Sequence, residues 1–160
     1  MSKLYFLAFV AVAALSFRLS VADPIPTFIV EGRVYCDSCR AGFETNITTY
    51  IEGAKVKLEC RHFDNDSIAH TVEGVTNSTG AYSIQLENDH ESEICEVVLV
   101  SSPIFDCYEI DYDRDRARVT LTSNNGIDSP IRYANSLGFL QEQPDIICGD
   151  LLKAYGIADP

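Results

Sequence analysis

The sequence predicts an all-β domain. Strict alternation of apolar and polar residues recurs along it, clusters of turn formers separate the alternating runs, and helical periodicity is nearly absent. Alternation marks a half-buried strand because successive side chains point to opposite faces. The first run is Phe28 to Cys36. The clearest is Ala54 to Arg61, where Ala54, Val56, Leu58 and Cys60 share one face and charged residues occupy the other, so the apolar face must meet a core. Next come Ala69 to Val75, Tyr82 to Leu86 (Tyr82, Ile84 and Leu86 on one face), Cys95 to Ser101, and Arg116 to Thr122 (Ala117, Val119 and Leu121 on one face). Between Val75 and Tyr82, Thr76-Asn77-Ser78-Thr79-Gly80 reads as a hairpin connection. Short strands at this spacing argue an antiparallel sandwich or barrel in preference to a parallel α/β sheet.

Helical signal is confined to two short segments. Phe43, Ile47, Tyr50 and Ile51 have the spacing of one helix face before Gly53, and Asp145 to Tyr155 follows Pro144 as a second short helix.

Residues 1–22 read as an export signal. Lys3 lies in a short basic start, Leu4 to Leu15 is an apolar run, and Ser20-Val21-Ala22 is a small-x-small cleavage site. The apolar run is shorter than the roughly 18 residues a membrane span needs. The expectation is a single domain over residues 23–160, released to the extracellular space without membrane insertion. The formal net charge is −12, and removal of Lys3 and Arg18 with the signal, which takes no acid with them, leaves −14. Such a surface repels nucleic-acid phosphates and anionic lipid, so neither is an expected partner.

The six cysteines stand at 36, 39, 60, 95, 107 and 148. An even count in an exported chain reads first as a disulfide framework, and counting leaves the pairing open. Two sharper readings compete. A redox couple at Cys36 and Cys39 needs the first cysteine at the start of a helix, and Gly42 makes a poor helix start. A zinc site of Cys36, Cys39, Cys60 and His62 would strand three cysteines. Three bridges account for all six, and no metal or cofactor is expected.

Catalytic motifs are missing from the sequence: it has no nucleophile elbow, zinc-protease helix or phosphate-binding glycine loop. Asp111-Tyr112-Asp113-Arg114-Asp115 starts like a calcium loop, yet Arg116 replaces the required glycine and Thr122 the final glutamate, so a self-paired charged loop is expected. Three glycosylation sequons, at Asn46, Asn65 and Asn77, fall in expected loops or turns.

Glu31-Gly32-Arg33-Val34-Tyr35-Cys36-Asp37-Ser38-Cys39-Arg40 resembles the signature of the Ole e 1-like family of secreted plant pollen proteins, with Ser38 where threonine is usual. Further segments agree in order: Glu52 to Arg61, Thr76 to Ile84, Ile94 to Val100, Leu121 to Gly126 and Asn135 to Phe139. The resemblance covers essentially the whole chain after the signal. It implies a single antiparallel seven-stranded barrel or sandwich of the transthyretin-like type, and no catalytic site. It also implies bridges joining Cys36 with Cys107, Cys39 with Cys148, and Cys60 with Cys95. It implies a secreted glycoprotein that acts by protein–protein or cell-wall contact in pollen-tube or organ growth, with a receptor-kinase ectodomain or a wall component as partner. A thiol–disulfide redox protein and a structural wall component are the alternatives.

Overall fold

A computed structural model describes residues 25–157, so the expected export signal lies outside the described residues. Ten strands build two sheets, followed by one short helix. The strands are β1 (Thr27–Asp37), β2 (Thr49–Tyr50), β3 (Lys55–His62), β4 (Ile68–Val75), β5 (Ala81–Glu87), β6 (Glu93–Ser101), β7 (Cys107–Glu109), β8 (Arg116–Val119), β9 (Ile131–Tyr133) and β10 (Leu137–Gln141); the helix is α1 (Cys148–Ala154).

β1 organises the first sheet. Its leading half pairs with β5 antiparallel and β9 parallel, and its trailing half pairs with β2 antiparallel and β10 parallel, with β7 beyond β10. The second sheet runs β4-β3-β6-β8, all antiparallel. Among the described residues no ladder joins the two, so the architecture is a sandwich and not a closed barrel. The six alternating runs correspond to β1, β3, β4, β5, β6 and β8.

Val30, Val34, Val56, Leu58, Val97, Leu99, Ile84 and Phe139 are buried in the one core between the sheets. Burying each such side chain contributes about 1.5–3 kcal/mol, so this set is the main source of stability. Two aromatic rings lie over glycines at their own register positions: Tyr82 opposite Gly32, and Tyr35 opposite Gly138. A Cβ on either glycine would overlap the ring. The signature glycine therefore leaves room for Tyr82.

Those two tyrosines set an alkaline limit. Burial, and then the nearby Asp37 charge, pushes the Tyr35 phenol up to about 12, and burial raises Tyr82 further. Their neutral forms stabilise the fold fully below the unfolded phenol value near 10, and this contribution is lost as pH rises through the folded values. Tyr82 Oη is also buried without a hydrogen-bond partner. Tyr82→Phe should raise stability by about 1 kcal/mol and move alkaline unfolding to higher pH. Chemical denaturation across the alkaline range checks this; a loss of stability on substitution would show that the hydroxyl is satisfied.

The helix expected before Gly53 does not form. Turns occupy that stretch and end in β2. Arg40 and Gly42 have φ of 52° and 82°, and the Asp37 carboxylate accepts the amides of Ala41 and Gly42. Ile51 N–H then donates to Val34 C=O, drawing the chain alongside β1. Local hydrogen bonding and strand pairing defeat a weak helical pattern. The second expected helix is present as α1, within Asp145 to Tyr155.

Candidate functional site

The signature segment ends β1 and turns at one end of the sandwich, where two disulfides hold it. Cys36 is bonded to Cys107 at the start of β7, and Cys39 to Cys148 at the start of α1. Cys36 and Cys39 thus fix one turn to two separate segments, and they do not form a dithiol couple with each other. The third bridge, Cys60 to Cys95, joins register partners of β3 and β6 in the core. With the sulfurs of Cys36, Cys39 and Cys60 bonded in this way, no thiolate remains for the zinc set weighed from the sequence.

Asp37, Ser38 and Arg40 of the signature each hold the turn. Asp37 is 1% exposed and accepts its two amides at 3.0 and 2.6 Å. Arg40 reaches Glu109 of β7 through two donors, at 2.7 and 2.8 Å, and also donates to Gln141 C=O at 2.9 Å. That hydrogen bonding lowers the Glu109 carboxyl and raises the Arg40 guanidinium. Being exposed, the pair orients β7 more than it stabilises the fold. Ser38 contributes its carbonyl to Asp145 N–H, linking the turn to the approach to α1.

Around this pinned end lies an apolar rim. Ile47, Tyr50, Ile104 and Ile147 line a groove together with Cys36 and Ser38. Next to it Phe105 is 91% exposed and Ile146 is 97% exposed. Both sit beside a bridged cysteine's segment, so they are held out on constrained backbone. The sequence reading missed them. Their signal was two apolar pairs, Ile104-Phe105 and Ile146-Ile147, in non-alternating stretches bounded by Pro103 and Pro144, where no core face could absorb them.

The three sequon asparagines are exposed. Asn46 lies in the turns before β2, Asn65 between β3 and β4, and Asn77 in the turn from β4 to β5, which crosses between the sheets and is not the hairpin expected from the sequence, because β4 pairs with β3 and β5 with β1. Asn77 Oδ1 accepts from Thr79 N–H and Oγ1, and Asn65 Oδ1 from Ser67 N–H. The charged segment from Asp111 to Asp115, expected from the sequence to be a self-paired loop, pairs internally and with Arg116 at the start of β8. Asp111 accepts from Arg114 and from Asp113 N–H, which lowers its carboxyl, and Asp115 accepts from Arg116. Among the described residues no histidine ring nitrogen is hydrogen-bonded to a serine, threonine or cysteine side chain. His90 uses both of its nitrogens on Glu93 and Glu87. No helix there is long and apolar enough to cross a membrane.

Comparison with known proteins agrees with this construction. The family model described as "Pollen protein Ole e 1 like" matches residues 26–156. Pollen-specific protein C13 of Zea mays is 52% identical over 132 residues, which is 82% of this chain and 78% of that protein. Pollen allergen Phl p 11 of Phleum pratense is 50% identical over 138 residues, 86% and 96% of the two chains. Among solved structures, the major plantain pollen allergen Pla l 1 aligns with a TM-score of 0.67 at 29% identity, over 74% of this chain and 97% of that one. With the signature turn, the two-sheet architecture and these likenesses in place, the chain belongs to the Ole e 1-like family of pollen proteins.

Proposed function

We propose that the protein is a secreted, non-enzymatic glycoprotein that works by docking a partner protein on its disulfide-pinned end. The observation that carries this reading is the exposure of Phe105 and Ile146, on constrained backbone, beside a groove of mixed lining whose apolar side is Ile47, Tyr50, Ile104 and Ile147. Exposed apolar groups gathered on a rigid β scaffold are the usual mark of a protein-contact surface. The partner class is a receptor-kinase ectodomain at the growing pollen-tube or organ surface, with a cell-wall component as the competing occupant. Export rests on residues 1–22 and glycans on Asn46, Asn65 and Asn77. All three asparagines are exposed, which suits glycan attachment.

A labelled protein should bind pollen-tube membranes saturably and be displaced by unlabelled protein. The Phe105→Asp/Ile146→Asp variant should keep its melting temperature, because both side chains are exposed, and lose at least about tenfold in affinity, the scale expected when interface anchors are removed. Retention in the wall fraction alone, released by pectin digestion, would favour the structural wall reading. Equal binding of variant and wild type would remove the rim from the account.

A further inference from the structure

We propose that His62, His70 and Glu93 form a binding site for one divalent transition-metal ion of the zinc and copper class. The chain has three histidines, and all three converge on the carboxylate of Glu93. They come from different elements: His62 ends β3, His70 lies in β4, His90 precedes β6, and Glu93 begins β6. Strand pairing produces the convergence. His62 is the register partner of Glu93, and His70 is the register partner of Cys60, which is bridged to Cys95 on β6.

The two oxygens of Glu93 have different surroundings. Oε2 lies 2.9 Å from His90 Nδ1, and the His90 side chain is 1% exposed. His90 Nε2 faces the Glu87 carbonyl at 3.0 Å. With both nitrogens used, His90 is a positioning residue that fixes the carboxylate in the way second-shell partners orient metal ligands.

Oε1 is left facing outward. His62 Nδ1 lies 3.9 Å from it and His70 Nε2 3.8 Å, beyond hydrogen-bond length. Two imidazole nitrogens thus flank one carboxylate oxygen without hydrogen-bonding it. Ligands about 2.1 Å from a tetrahedral metal stand about 3.4 Å apart, so a bound ion requires both imidazoles to swing in toward Oε1 and toward each other. The imidazoles can make that movement because their side chains are 49% and 46% exposed. Two imidazoles with one carboxylate select zinc, copper or nickel over calcium or magnesium, which take oxygen ligands. Water would complete the coordination.

Cys60 and Cys95 lie close to Glu93 and His90 and would enlarge the donor set if they were free thiolates. They are bonded to each other. The site therefore belongs to the oxidised protein and uses nitrogen and oxygen only.

The test is isothermal titration of Zn²⁺ into tag-free protein with its bridges intact, near neutral pH. One equivalent should bind, with affinity falling as pH falls because protons compete for the imidazoles. Histidine ring resonances of His62 and His70 should shift on titration, with His90 nearly unmoved. The His62→Asn/His70→Asn variant should melt like wild type, since both side chains are half exposed, and lose the binding by well over about tenfold, more than the loss of an outer-shell partner costs. Glu93→Gln should also weaken it. Absence of saturable binding in the wild type, or equal binding in the double histidine variant through acidic loops, would overturn the assignment.

Discussion

Replacing the Cys39–Cys148 bridge, as Cys39→Ala/Cys148→Ala, is expected to lower stability by about 3–5 kcal/mol. The bridge closes the longest loop of the three, with a sequence separation of 109 against 71 and 35, and the entropy withheld from the unfolded chain grows with loop length. Its loss should also act locally. α1 has seven residues, no side-chain cap at its start, and Cys148 as its buried residue. A helix this short is marginal in water without tertiary anchorage. Amide exchange in residues 148–154 should therefore approach free-peptide rates while β3 and β6 stay protected. Protection of α1 equal to wild type would mean that contacts such as the edge-on packing of Phe43 and Tyr155, with ring centroids 6.1 Å apart, hold it unaided.

Gly80→Val is expected to cost about 3 kcal/mol or more, a drop in melting temperature of about 10 °C for a chain of this size. Gly80 ends the turn from β4 to β5 with φ of 70°, where a β-branched residue is strained. The position is also hemmed in: a Cβ would stand 2.8 Å from the Val34 carbonyl oxygen, 2.6 Å from Tyr50 Cβ and 3.2 Å from the Ile51 amide nitrogen. Two of those neighbours are backbone atoms, which cannot rotate aside. The turn meets the signature strand here, since Val34 N–H donates to Gly80 C=O at 2.9 Å. Thermal melts of Gly80→Ala and Gly80→Val should fall in that order; a change of less than about 1 kcal/mol in both would show that the turn can shift away from β1.

What the sequence displayed of this fold follows from which interactions are local. β3 was legible because Val56, Leu58 and Cys60 alternate with Lys57, Glu59 and Arg61 over eight residues, longer than chance patterns persist. β2, β7, β9 and β10 were not, because they run two to five residues and owe their strand geometry to pairing along β1 or β10. Their parallel pairings, β9 and β10 on β1, depend on the path the chain takes through the second sheet, and alternation carries no information about partner direction. Glu59 illustrates a subtler limit. It occupies the polar face as expected, yet it is 3% exposed and clamped between Lys57 and Arg61, whose hydrogen bonds lower its carboxyl. Cysteine counting indicated three bridges, while which sulfurs meet is decided by tertiary geometry. The rim and the cluster at Glu93 were invisible for the same reason: Phe105 and Ile146 are 41 positions apart by numbering, and His62 meets Glu93 through strand register.

The central claim is that the pinned end is the face that meets a partner. Site-specific photo-crosslinking tests it most directly. A photoreactive residue is placed at Phe105 in one protein and at Glu73, exposed on β4 of the opposite sheet, in another. Both are applied to growing pollen tubes. The account predicts a discrete protein adduct from position 105, competed away by unlabelled wild type, with none from position 73. Adducts of the same identity and yield from both positions, or from position 73 alone, would contradict it.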